Sequence, residues 1–145
     1  MCLSAFYKMP ESPSFKLRDP MPPPAAVARC ELGYAELDVI SNFSFLRGAS
    51  HPDELVYTAA NLGYRAIALT DVCTLAGMVR AHAAAKECGM KLIVGSRLQF
   101  ADGMPDILVW CMNRTGYGNL CKLLTIGKRR TEKGKCELGV GDLLG

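Results

Sequence analysis

The stretch Arg65-Ala66-Ile67-Ala68-Leu69-Thr70-Asp71 decides the fold. Four apolar residues follow one another without polar alternation, with Gly63 just before them and a carboxylate just after. That pattern suits a short strand buried on both faces, and such strands belong to parallel sheets covered by helices. The flanking residues supply the helices. Upstream, Ser50-His51-Pro52-Asp53 reads as a helix start, with Ser50 at the N-cap, Pro52 in the first turn and Asp53 near the positive end of the dipole. Leu55, Ala59 and Leu62 recur at helical spacing as far as Gly63, the expected stop. Downstream, Asp71-Val72-Cys73-Thr74 reads as a turn into an Ala- and Leu-rich helix that begins near Thr74 and ends at Gly89.

Further out, residues 34–40 read as a strand and 41–50 as a polar, glycine-containing loop. Residues 91–100 and 106–112 read as two strands joined through the Ala101-Asp102-Gly103 turn as a hairpin, and 115–128 as a third helix. The order β-α-β-α-β-β-α predicts a mostly parallel α/β sheet or part of a barrel. Six of the eight prolines fall in the first 24 residues, so residues 1–32 read as an extended, disordered leader and 33–145 as the folded domain.

A net charge of +3 over 145 residues is too mild to identify a nucleic-acid partner, which usually meets a concentrated basic face. The seven cysteines form no CxxC pair and are odd in number, which points to small core residues in a reducing cytosol. No 18-residue apolar run or signal-peptide pattern occurs, so a cytoplasmic protein without membrane insertion is expected.

In parallel sheets, functional groups gather at the carboxyl ends of strands. Three places qualify. Glu36 and Asp38 alternate on the first strand before the loop 41–48, as carboxylates of a site or as the solvated face of an edge strand. Asp71 follows the buried strand, either as a metal ligand or as the cap of the helix expected near Thr74. Gly95-Ser96-Arg97 offers a close backbone approach and a cation, or an ordinary strand with one exposed arginine. The two histidines, His51 and His82, are too few for a nitrogen-rich metal cluster. Five basic residues lie within 128–135, among them Lys128, Arg129, Arg130 and Lys133; they are candidate nucleic-acid contacts or a solvated helix end.

Taken together, Tyr34-Ala35-Glu36-Leu37, Ser41-Asn42-Phe43-Ser44-Phe45-Leu46-Arg47-Gly48-Ala49-Ser50-His51-Pro52, Ala68-Leu69-Thr70-Asp71 and Leu75-Ala76-Gly77 resemble the opening of a bacterial error-prone DNA polymerase of the C family. The likeness continues through Val79-Arg80-Ala81-His82, Ile93-Val94-Gly95 and the basic helix end. It implies the polymerase and histidinol phosphatase (PHP) domain, a distorted β/α barrel, of which this chain holds the first strands and helices. Metal-binding members carry an H-x-H pair where Asp38 and Ile40 stand, T-D-H where Thr70-Asp71-Val72 stands, and a glutamate where Arg97 stands. Asp38 and Asp71 are therefore the only expected remnants of a vestigial Zn²⁺ or Mn²⁺ site; His51 is a further ligand only if the chain is a phosphoesterase. For the whole polymerase, the likeness implies Mg²⁺ held by carboxylates beyond Gly145, DNA as partner, and other repair or replication proteins as further partners. The chain is expected to be a truncated domain that lacks those carboxylates and is inactive alone.

Overall fold

The computed structural model describes residues 33–144; the proline-rich stretch 1–32, with its expected extended character, lies outside the described residues. Strand β1 (Ala35–Val39) leads into α1 (Pro52–Asn61), β2 (Ala66–Leu69), α2 (Met78–Cys88), β3 (Lys91–Leu98), β4 (Ile107–Trp110), α3 (Arg114–Arg129) and the short α4 (Val140–Leu144). The four strands form one sheet in the order β1-β2-β3-β4. The first three are parallel through helical crossovers, and β4 closes the edge as the antiparallel arm of a hairpin. This is the expected mixed α/β sheet, a partial barrel of the PHP type.

β2 is central because it has no polar side chain to keep wet. Ala66, Ile67, Ala68 and Leu69 are all at most 4% exposed. On one side, Ile67 and Leu69 pack with Val56, Tyr57 and Ala59 of α1 and with Met78, Ala81, Ala84 and Ala85 of α2. The run of alanines lets the two helices approach each other closely over the strand. A second cluster joins Cys73, in the turn after β2, and Leu98 of β3 to Leu120, Leu123 and Leu124 of α3 and to Leu138. Each fully buried leucine of this kind stabilises the fold by about 1.5–3 kcal/mol.

Two helix starts differ from the sequence expectation. The N-cap of α1 is His51, not Ser50: proline at the first helical position forces the residue before it into extended backbone, and His51 sits at φ −70°, ψ 151°. Its amide donates to Oε2 of Glu54 at 3.0 Å. Helix α2 begins at Met78 and not near Thr74, because Cys73 takes a left-handed φ of 49° that no right-handed helix continues through. The expected glycine stops hold, with Gly63 at φ 75° and Gly89 at φ 66°.

Candidate site at the carboxyl edge of the sheet

Asp71 leaves β2 at its carboxyl end and is fully buried. It does not cap α2. Its Oδ1 accepts from the Ser41 amide at 2.8 Å and from Ser44 Oγ at 2.6 Å, and its Oδ2 accepts from Ser41 Oγ at 2.6 Å. Ser44 Oγ in turn accepts the Val72 amide at 2.9 Å. The loop after β1 thus supplies three donors to the carboxylate, while the Asp71 carbonyl accepts from Ser96 Oγ of β3 at 2.8 Å. Through its carboxylate and its carbonyl together, Asp71 ties the loop after β1 and strand β3 to the end of β2.

Asp38 and Glu36 do not form a pair. The register of β1 against β2 slips between Glu36 and Val39, a bulge that re-aims the intervening side chains. Glu36 turns back to accept from Tyr34 Oη at 2.7 Å. Asp38 turns toward the neighbouring strands instead. Its Oδ1 accepts from Thr70 Oγ1 at 2.8 Å and its Oδ2 accepts from Nη2 of Arg97.

Arg97 therefore does not stand as an exposed arginine on an ordinary strand. Its Nη1 also lies 4.0 Å from Oδ2 of Asp106, just before β4, and its buried Nε has no hydrogen-bond partner among the described residues. Arg47 approaches the same Asp106 oxygen at 4.0 Å, and Gln99 Nε2 donates to it at 3.2 Å. The loop holding Ser41 and Ser44 is a candidate place in the sequence, but Asp106 is not, and a serine in a polar loop carries no signal that it will meet a carboxylate 30 residues on.

The two histidines stay apart from these groups. His51 Nδ1 lies 2.9 Å from Asn42 Nδ2 and 3.5 Å from Arg80 Nη1. His82 is exposed on α2. Of the basic residues, Lys128 and Arg129 end α3, and Arg130 is engaged by both oxygens of Asp142 at 2.5 and 2.7 Å. Lys128 and Lys133 line a groove of about 920 Å³ that Phe43, Phe45, Glu132 and Glu137 also line.

A bound metal needs several oxygen, nitrogen or sulfur donors with free lone pairs converging on one point. The residues present do not fit that need. Asp71 is occupied by serine donors, Asp38 by Thr70 and Arg97, and Ile40 and Val72 offer only hydrocarbon. Among the described residues no group of three His, Cys, Asp or Glu side chains is arranged to hold an ion. No helix among them is long and apolar enough to cross a membrane.

Comparison with known proteins agrees with this frame. The chain is 57% identical over 113 residues to an error-prone DNA polymerase of Methylococcus capsulatus, covering 78% of this chain and 11% of that protein. An error-prone DNA polymerase of Dechloromonas aromatica is 57% identical over 110 residues, 76% of this chain and 11% of the relative. The chain thus spans about a ninth of the length of these curated relatives. Among solved structures, a protein of Bifidobacterium adolescentis described as a metal-dependent phosphoesterase superposes with a TM-score of 0.50 at 24% identity, over 76% of this chain and 37% of that one. An amidohydrolase of Chromobacterium violaceum, solved with sulfate and no metal, gives a TM-score of 0.54 at 24% identity, over 66% of this chain and 33% of that one. At that identity the two structures share the fold with this chain and nothing finer. The profile of the PHP domain matches residues 36–139, and the chain belongs to the PHP domain family.

Proposed function

We propose that residues 33–145 serve as a structural PHP module of an error-prone DNA polymerase, one that acts in DNA repair, damage-induced mutagenesis and translesion synthesis in the cytoplasm. In this reading the module hydrolyses no phosphoester. The observation that carries it is the state of the two candidate ligands: Asp71 accepts three hydrogen bonds from Ser41 and Ser44, and Asp38 is held by Thr70 and Arg97. Nucleotidyl transfer, with Mg²⁺ clamping the attacking and leaving oxygens, belongs to carboxylates elsewhere in the longer polymerase. DNA, and other repair or replication proteins, are partners of that whole protein.

The competing reading is a PHP-type phosphoesterase built on Asp38, Asp71 and His51. A bis(p-nitrophenyl) phosphate assay of the chain with added Mn²⁺ or Zn²⁺ separates the two. The structural reading expects no metal-stimulated hydrolysis, whereas turnover lost in Asp71→Ala at unchanged folding would replace it with the phosphoesterase.

A second reading is favoured by the groove whose lining includes Lys128 and Lys133 together with Phe43 and Phe45, and also Glu132 and Glu137. Cations beside exposed aromatic rings suit a single-stranded nucleic acid, whose phosphates and base faces they meet. In this reading Lys128, Arg129 and Lys133 contact the backbone, and Arg130 contributes less because Asp142 holds it. Oligothymidylate binding measured against salt should show a shallower slope in Lys128→Gln/Lys133→Gln; an unchanged slope removes the idea.

A further inference from the structure

We infer that Arg97 is a built-in cation of this domain, whose guanidinium holds the carboxylates of the site together in the way a divalent ion would, and that Asp38 serves this ion pair and not a metal. The inference rests on the metal-free reading above and gives it a mechanism.

β1 is hydrogen-bonded to β2 but not to β3. The Asp38–Arg97 contact spans 59 residues and passes over the end of β2, where Thr70 adds its own hydrogen bond to the same carboxylate. Among the described residues it is a direct polar link between the first and third strands at this edge. Asp106, 4.0 Å from Nη1, brings the approach to β4 under the same guanidinium. One permanently charged group thus faces two carboxylates from two other segments.

A guanidinium suits that task because it is always protonated, planar and rich in donors, so it needs no ion from solution. An ordinary surface ion pair contributes little because water screens it and flexible side chains must be held still. Here the Arg97 side chain is 22% exposed, and Asp38, though 38% exposed, is already fixed by Thr70. The same positive charge repels a divalent ion from Asp38 and Asp106. Replacing Arg97 by glutamate reverses the logic, since it brings three carboxylates together and creates the oxygen-rich cluster that hard cations need.

The test is thermal unfolding of the full 145-residue chain as wild type, Asp38→Asn, Arg97→Met, the double variant and Arg97→Glu, each with EDTA or millimolar Mn²⁺. The expected wild-type Tm is the same in both. Asp38→Asn and Arg97→Met each lower Tm by about 5 °C, and the double variant falls no further than the worse single one. Arg97→Glu melts lower still in EDTA and regains about 5 °C or more in Mn²⁺. Additive losses in the double variant, or an Arg97→Glu protein indifferent to Mn²⁺, overturn the role given to Arg97. If Arg97→Glu does not fold, the Asp38/Arg97 cycle decides alone. A wild-type Tm that rises with Mn²⁺ overturns the metal-free reading itself.

Discussion

Ser44 Oγ donates to Oδ1 of Asp71 at 2.6 Å and accepts the amide of Val72 at 2.9 Å, so one hydroxyl closes a ring around the end of β2. With Ser41 donating its amide and hydroxyl to the same carboxylate, the loop after β1 is bolted to the loop after β2 through a single buried side chain. Its hydrogen bonds make it a strut.

Removing the strut leaves three buried donors without an acceptor. Asp71→Ala should destabilise the chain by roughly 3–5 kcal/mol, and Asp71→Asn, which keeps one acceptor oxygen, by roughly half as much. Urea denaturation followed by circular dichroism checks both. Equal, small effects of the two substitutions would contradict the bonding pattern.

The loop leaves no room for a side chain at Gly48. A Cβ there would stand 2.2 Å from the carbonyl oxygen of Ser41, a backbone atom that cannot move away without dragging the Asp71 ring with it. Gly48→Ala should therefore cost about 1–3 kcal/mol or more. Gly118, inside α3 with open space around it, is the control. Gly118→Ala should stabilise by about 1 kcal/mol through helix propensity, and the pair of denaturation midpoints should move in opposite directions.

Arg130 and the Gly139 amide hold the Asp142 carboxyl down to about 2, below its ordinary 3.8. The folded state therefore favours the charged form. The contribution of this pair is complete above about pH 4 and disappears as pH falls through 2. Carboxyl-carbon NMR should place the Asp142 midpoint near 2, and Arg130→Ala should return it toward 4. A midpoint near 4 in the wild type would mean that the contact does not persist in solution.

Much of the fold is legible in the sequence because hydrophobic burial leaves a periodic trace. The apolar run Ala66–Leu69 is the buried central strand, Gly63 and Gly89 end their helices, and the turn at 101–103 joins an antiparallel pair. Helix starts are less legible, since they depend on backbone angles at single residues. Pro52 moves the cap to His51, and the left-handed Cys73 delays α2 to Met78. The site is legible only in its parts. Asp38, Asp71 and Arg97 stand out as polar residues at strand ends, but their partners come from elsewhere in the chain. Nothing local announces that the bulge between Glu36 and Val39 turns Asp38 toward Arg97, that Ser41 and Ser44 close on Asp71, or that Asp106 joins from the hairpin.

The most direct test of the central claim, a PHP fold held by internal polar contacts instead of metal ions, is elemental analysis of the chelator-washed, Zn²⁺- and Mn²⁺-reloaded chain. Circular dichroism should first establish that the chain is folded. The account predicts far less than one equivalent of either metal retained after dialysis, with no change on Asp71→Ala beyond its effect on folding. Near-stoichiometric metal that is lost in a folded Asp71→Asn variant would contradict it.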